Sequence, residues 1–372
     1  MRKGIGMQPE GTKLRSIARR CTIYDVAKHA QVSPSTVSHV LNGTASISAS
    51  TKKRILASVE ELGYRPNANA RALRQLHSHL LGVIFPDISS EYYASCTAGI
   101  IQQARRHNYV VLANDLHFDN DVLRSSVPAL VERRVDGMIF VGGIRDEEYI
   151  RMVVDAGVPV VLGDRLLEGY PCVEFNNFET MRKLVSALHD AGYRRFGYVG
   201  EAINQQQNLE RRYSGFLAGV KERDIPSSDI FVRLEDSLNF SGKINSAYTF
   251  FRNYFAEVDW KRMPQVMLTS NDMVAMGCMS AALRSGLRVP EDIAIVGFDN
   301  ISLAAFSTPS ITSVEQNPYE LGSCCFAQMI KKMRGEEVPN IMLSQQIAVR
   351  KSAPIPEECL IRNGLTLANI NE

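Results

Sequence analysis

The sequence predicts an α/β protein with an N-terminal all-α head and a larger body of two doubly wound parallel sheets. Three observations predict it. Two short amphipathic helix patterns follow one another within residues 22–41. Basic charge is concentrated in the first 77 residues, which hold 13 Lys/Arg against 4 Asp/Glu, a net of +9. From Leu80 onward, continuous apolar runs of strand length alternate with helical segments.

Residues 1–21 carry Arg2, Lys3, Lys13, Arg15, Arg19 and Arg20 with few apolar residues, which predicts a disordered basic extension. Such an arm can add phosphate contacts that are salt-dependent and blind to sequence. Thr22 is placed to cap a first helix, and Asp25, three residues on, to complete a capping box. Ile23, Val26, Ala27 and Ala30 fall at i, i+3, i+4 and i+7 and form one apolar face. Gln31-Val32 makes a turn. Ser33 is then a new N-cap, with Pro34 at the first helical position, where its missing N–H costs nothing.

Val37, Val40 and Leu41 give the second helix its apolar face, while Ser35, Ser38, His39 and Asn42 point the other way. Two small helices packed on each other with one polar, uncharged face free is the plan of a helix-turn-helix whose second helix enters a DNA major groove. Asn42-Gly43 stops that helix. A third follows from about Ser50 to Leu62, with Ile55, Leu56, Val59 and Leu62 apolar and Lys52, Lys53 and Arg54 as a basic start.

Tyr64-Arg65-Pro66-Asn67 is a break, because the residue before proline avoids helical geometry. The alanine-rich stretch Asn67–Leu76, capped by Asn67, can form a linker helix too short to be stable alone. Leu73 on it either wedges between base steps in a minor groove or packs against protein.

In the body, strands are predicted at 80–86, 109–114, 136–142, 159–164, 172–176, 194–200, 265–270 and 293–298. Helices fall between them, among others at 94–107, 178–191, 211–223 and 273–285. Apolar strands separated by helices mean parallel sheets covered on both faces. The unit runs once from about 80 to 175 and again from about 176 to 305. Several strands end in polar residues: Asp87, Asn114-Asp115, Asp164-Arg165, Asn176-Asn177, Asn271-Asp272 and Asp299-Asn300. Ligands of open α/β sheets sit beyond the carboxyl ends of strands. Two sheets facing each other there would make a cleft suited to a small polyhydroxylated or otherwise polar ligand.

Much is excluded. No apolar run approaches the roughly 18 to 20 residues of a membrane span, and no apolar segment follows the basic N-terminus as in a secretory signal, so a cytoplasmic protein is expected. Seven scattered cysteines without a CxxC pair argue for reduced thiols, not a disulfide framework or a metal site. There is no dinucleotide fingerprint, P-loop, nucleophile elbow or zincin motif. No enzyme, cofactor or metal is expected.

The runs TIYDVAKHAQVSPSTVSHVLNG and KRILASVEELGYRPNANARAL closely resemble the head of the LacI/GalR (lactose-repressor) family. The body is similar too, at VDGMIF, PVVLGDR, RRYSGF, SNDMVAMG, GLRVPEDIAIVGFDN and TSVEQNP, so the resemblance covers about residues 22 to 352. It implies a homodimeric transcriptional regulator, most often a repressor, that binds a palindromic double-stranded operator. A small effector, usually a sugar or purine, closes a periplasmic-binding-protein-like body. The implied division is a helix-turn-helix domain at 22–65, a hinge helix linker at 66–78 and an effector-binding and dimerisation domain at 79–355. Within that domain the N-subdomain takes about 79–175 and 307–335 and the C-subdomain about 176–306 and 336–355, leaving 356–372 as a C-terminal tail.

By position in the family's motifs, Pro34, Ser35 and His39 match residues that face base edges. Thr22, Ser33, Thr36 and Asn42 match positions near phosphates, and Leu73 matches the hinge leucine that wedges into the central base step. With Ser38 and Asn67 these are the expected DNA-binding residues. Arg212, Asp299 and Asn271 match effector-holding positions, and Asp87, Tyr92, Asp164, Asn176, Gln206 and Asn208 fall where effector contacts cluster. Their polar character favours a carbohydrate.

Two departures stand out. Gln31 occupies a turn position where the family usually has glycine, so a slightly altered turn is expected. Pro34 brings little base-reading chemistry, which leaves readout there to shape or to a thymine methyl. The competing reading is a solute-binding protein without a transcriptional role, since the body alone resembles periplasmic sugar binders.

Overall fold

The computed structural model describes residues 21–64, 77–117, 119–142, 147–202, 207–238 and 242–369. The chain parts into two compact units, a head up to Ser78 and a body from His79. The basic extension before Cys21, most of the hinge helix linker with Asn67 and Leu73, and Gln206 lie outside the described residues.

Among the described residues the head holds three helices: α1 (Ile23–His29), α2 (Pro34–Asn42) and α3 (Ala49–Glu61). The capping box at α1 is formed, with Asp25 accepting from the Thr22 backbone and Asp25 N–H donating back to Thr22 Oγ1. Ser33 caps α2, and Gly43 ends it in the left-handed conformation. Val26, Ala27, Ala30, Val37 and Ile55 close a small core, with Ile23, Val40, Leu41, Val59 and Leu62 packed on it. Leu56 is 46% exposed, contrary to the expected face of α3. Ser58 turns inward instead, donating to the Arg54 carbonyl and bonding His29 Nδ1 at 3.0 Å, which ties α3 to α1.

The turn after α1 is not altered in the expected way. Gln31 adopts φ +51, the left-handed geometry that favours glycine, and bears the strain. Its neighbour Val32 donates to the Ala27 carbonyl at 3.0 Å, which closes the turn.

In the body, the first sheet orders its strands β11-β5-β4-β3-β1-β2: Ile341–Leu343, Cys172–Phe175, Val160–Gly163, Gly137–Val141, Leu80–Phe85 and Val110–Asp115. The second orders β12-β10-β9-β8-β6-β7: Gln346–Ala348, Thr312–Glu315, Ala294–Asp299, Val266–Thr269, Phe196–Glu201 and Ile230–Glu235. All pairings are parallel except β10 with β12. Central strands such as β3 and β6 are buried along their length, as sheets covered on both faces require.

Helices α4 (Glu91–Arg106) and α12 (Pro318–Met333) cover one face of the first sheet, and α5 (Asn120–Glu132) and α6 (Glu147–Asp155) the other. On the second sheet, α7 (Asn177–Asp190) and α8 (Gln207–Glu222) face α9 (Lys243–Glu257) and α10 (Asp272–Arg284) across the strands. The short α11 (Ser302–Phe306) follows β9. Gly99 of α4 and Gly322 of α12 let these two helices touch backbone to backbone; a Cβ on either would strike the other helix's carbonyl oxygens.

The implied subdomain division needs two corrections. Residues 312–315, placed with the N-subdomain, pair with β9 in the second sheet, Thr312 opposite Val296. Residues 341–343, placed with the C-subdomain, pair with β5 in the first, Ile341 opposite Val173. The chain therefore crosses between sheets three times: after β5, after β10 and after β11. The segment set apart as a tail is folded as well. Helix α13 (Glu357–Arg362) packs Cys359 and Leu360 into the core beside α7, Leu365 follows them past the helix end, and Leu367 bridges to Ile347.

Candidate functional site

In the head, the face of α2 away from the core carries exposed Ser35, His39 and Asn42, with Ser38 half-buried. These side chains are ordered by short local bonds. Ser33 Oγ accepts from the Thr36 N–H and lies 2.7 Å from Ser35 Oγ. Asn42 Nδ2 donates to Ser38 Oγ at 3.2 Å. His39 Nδ1 lies 2.9 Å from Thr44 Oγ1, a partner just past the helix that its pattern did not signal. Pro34 is half-buried at the first helical position, and Thr22 Oγ1 is taken up by Asp25 at 2.7 Å. Tyr24 is 70% exposed on α1, an aromatic surface residue that sequence reasoning passed over. Its place beside the apolar face was the available signal.

In the body, strand order reverses beside β1 in the first sheet and beside β6 in the second. A crevice beyond the carboxyl ends of strands at such switch points is where open α/β sheets bind ligands. A cavity of about 740 Å3, open solvent at its mouth included, lies there between the sheets. Asp87, Glu91, Tyr92 and Tyr93 come to it from β1 and α4; Glu201, Asn208, Arg212, Lys243, Asn271, Asp272 and Asp299 come from the second sheet and its helices. Six of the expected effector residues thus meet: Asp87, Tyr92, Asn208, Arg212, Asn271 and Asp299.

Arg212 is the centre of the polar network and is 2% exposed. Its Nη2 lies 3.1 Å from Asp299 Oδ1, its Nε donates to Asn177 Oδ1 at 2.9 Å, and its Nη1 donates to the Ser270 carbonyl at 2.5 Å. The guanidinium also sits 3.8 Å over the Phe298 ring. Burial opposes its charge, but Asp299 and Asp164 hold it, and its pKa lies above the ordinary arginine value. Asp299 sits at φ +100, a strained conformation for a residue with a side chain, and accepts from Gln316 Nε2 at 2.7 Å. Burial raises its carboxyl and Arg212 pulls it back.

Asp164 stands behind the cavity and reaches across to the second subdomain, accepting from Asn208 Nδ2 at 2.9 Å. Burial pushes its carboxyl up to about 6 against the pull of Arg212. Asn271 caps α10 and donates to Glu201 Oε1 at 2.6 Å. Asn176 is not part of the cavity wall. Its side chain caps α7, accepting from the Glu179 N–H at 3.3 Å, and that local bond uses its strand-end position.

Glu201, Lys243 and Glu91 were missed, and Asp272, expected among the polar strand ends, was not singled out for the effector. Glu201 ends β6 and is 1% exposed; burial works to raise its carboxyl, but Lys243 Nζ, at 2.7 Å, holds it below the usual value. It obeys the same strand-end rule as Asp164 and was legible on that ground. Asp272 accepts from Ser313 Oγ at 2.6 Å and the Ile301 N–H at 2.8 Å, and burial pushes it up to about 8. Its carboxylate fills the space a Cβ on Gly297 would occupy, so glycine in β9 is required. Glu91 accepts from Ser302 N–H and Oγ at 2.8 and 2.5 Å across the cavity mouth. No local pattern signals a pairing so distant in sequence.

A family model described as bacterial regulatory proteins of the lacI family matches residues 22–67, and one for a periplasmic binding protein-like domain matches 185–353. Catabolite control protein A of Priestia megaterium is 31% identical over 335 residues, covering 89% of this chain and 98% of that protein. The chain belongs to the lacI family. A second relative of the lacI-family member, catabolite control protein A of Staphylococcus aureus (strain MRSA252), is 32% identical over 333 residues, 88% of this chain and 98% of that one. The crystal structure of the lac repressor dimer bound to operator and the anti-inducer ONPF matches with a TM-score of 0.78 at 25% identity, covering 90% of this chain and 100% of that one. Catabolite control protein A and the lac repressor are DNA-binding transcriptional regulators and not enzymes, and so is this lacI-family chain. A solute binder without a transcriptional role is thereby set aside. No helix among the described residues is long and apolar enough to cross a membrane.

Proposed function

We propose that the protein is a repressor that binds a palindromic operator as a homodimer and is gated by a carbohydrate or carbohydrate derivative held in the cleft of the body. One observation carries this reading: a helix-turn-helix with an ordered, uncharged polar face and a buried polar cleft at two switch points belong to one chain. On this reading Ser35, Ser38 and His39 read base edges, Pro34 sets shape, and Thr22, Ser33, Thr36 and Asn42 meet phosphates. Asn67 and Leu73 belong to the hinge, with Leu73 as a minor-groove wedge. Arg212, Asp299, Asn208, Asn271, Asp87, Tyr92 and Asp164 hold the effector, and Gln206, next before Gln207 in the sequence, joins them. Such a regulator works in the cytoplasm.

Support comes from the kinship with a lac repressor bound to operator, and from a cellobiose complex of the transcriptional regulator CelR, similar in fold at a TM-score of 0.64. The test is fluorescence anisotropy on a pseudo-palindromic duplex. Leu73→Ala should lose specific affinity by tenfold or more while keeping weak, salt-sensitive binding, about one lost wedge contact. Operator affinity equal to wild type would rule out the wedge.

A further inference from the structure

We infer that the cleft takes an uncharged, hydroxyl-rich ligand and excludes phosphorylated or carboxylated ones, a conclusion that rests on the cleft being the effector site. The first ground is the balance of charge. Four carboxylates line the cavity (Asp87, Glu91, Glu201 and Asp299), beside Asp272, whose buried carboxyl keeps its proton, against two cations, Arg212 and Lys243. Both cations are already engaged by carboxylates of the protein itself, Arg212 by Asp299 and Lys243 by Glu201. An incoming anion therefore meets no uncommitted positive charge, and in a site removed from water its repulsion by carboxylates is poorly screened.

The second ground is independent of charge count. Two buried side-chain atoms of the cavity wall, Glu201 Oε2 and the Tyr92 hydroxyl, make no well-formed hydrogen bond, and Asp164 lies behind the wall beside the Tyr92 hydroxyl. An ionised carboxylate only accepts, so Glu201 Oε2 asks a ligand for an O–H or N–H donor. Leaving a buried acceptor unpaired is unfavourable, and a donating ligand returns that cost on binding. A phosphate monoester near neutral pH offers a cluster of acceptor oxygens and up to two negative charges, the opposite of what these atoms require. Glu201 belongs to the second sheet, and Asp164 and Tyr92 to the first subdomain. A ligand that meets Glu201 on one wall and the Tyr92 hydroxyl on the other would join both, and this favours a sugar ring with hydroxyls on opposite edges.

The experiment is a thermal-shift series on the full chain with ribose, glucose, galactose, maltose and cellobiose, each paired with its own phosphate monoester. At least one free sugar should raise the melting temperature by a few degrees, and its phosphate ester should not. Glu201→Gln should weaken the free sugar by about tenfold, the loss of one charged acceptor. If that variant does not fold, the paired wild-type measurements still decide. A phosphate ester that stabilises as well as its parent sugar overturns the inference, and so does silence from every free sugar. A free sugar that binds without changing operator affinity leaves the inference standing and sinks the effector reading. A phosphate ester that binds and changes operator affinity does the reverse.

Discussion

Arg212 is held by four interactions at once, so its removal is felt twice. Arg212→Ala leaves Asp299 buried without its main countercharge, and breaking such a pair typically costs about 3–5 kcal/mol. Urea denaturation should register a loss of that order, while operator binding by the protein that remains folded should persist and no longer answer to ligand. A variant with wild-type stability and wild-type ligand response would remove Arg212 from the centre of the cleft. Asp272 offers a different test. Its carboxyl is pushed up to about 8 in the fold, from 3.8 ordinarily. The folded protein therefore keeps a proton that the unfolded chain has released. This contribution to stability is full below about pH 4 and is lost as pH rises through about 8. Asp272→Asn should accordingly show a flatter fall in melting temperature between about pH 5 and 8 than wild type; a parallel profile would mean that Asp272 does not hold its proton. Neither group's role could be read locally. Asp164 and Glu201 were reachable by the strand-end rule, but the Asp272 environment is set by Gly297 and Ser313, which only folding brings near.

The elements of the head follow their local signals closely, because a cap, a proline at the first position and a terminal glycine act within one turn of helix. Gln31 is the exception. It holds φ +51 where glycine is free to go, at a cost of roughly 1 kcal/mol. Gln31→Gly should raise the stability of the head by about 0.5–1 kcal/mol without altering the polar face of α2; an unchanged or lower melting temperature would show that the side chain offsets its own strain. In the body, the eight strands expected from apolar runs are all present. Four others were not legible. β7 is a half-exposed edge strand, and β10, β11 and β12 are only three or four residues long. β4, β5 and β8 are as short but lie in apolar runs, whereas β10, β11 and β12 lack such a run and are defined by the ladder that receives them. The same holds for α13, whose buried Cys359 and Leu360 look like an ordinary polar tail until Leu367 meets Ile347.

Across the whole body, cooperation between the two sheets depends on contacts no local pattern predicts. Glu91 with Ser302, Asp164 with Asn208, and Glu174 with Arg211 each join one subdomain to the other. A ligand that adds to these bridges favours the arrangement in which they are made, and by that difference alone it can shift a conformational balance. The three crossings between sheets carry a further consequence, a genetic one. Because β11 (Ile341–Leu343) completes the first sheet and β12 (Gln346–Ala348) the second, a premature stop codon anywhere between the head and Ile341 strips a strand from each sheet at once. The head, encoded first and closed by its own small core, escapes that damage. Truncation alleles of this gene would divide the protein not between its two lobes but between a reader and nothing.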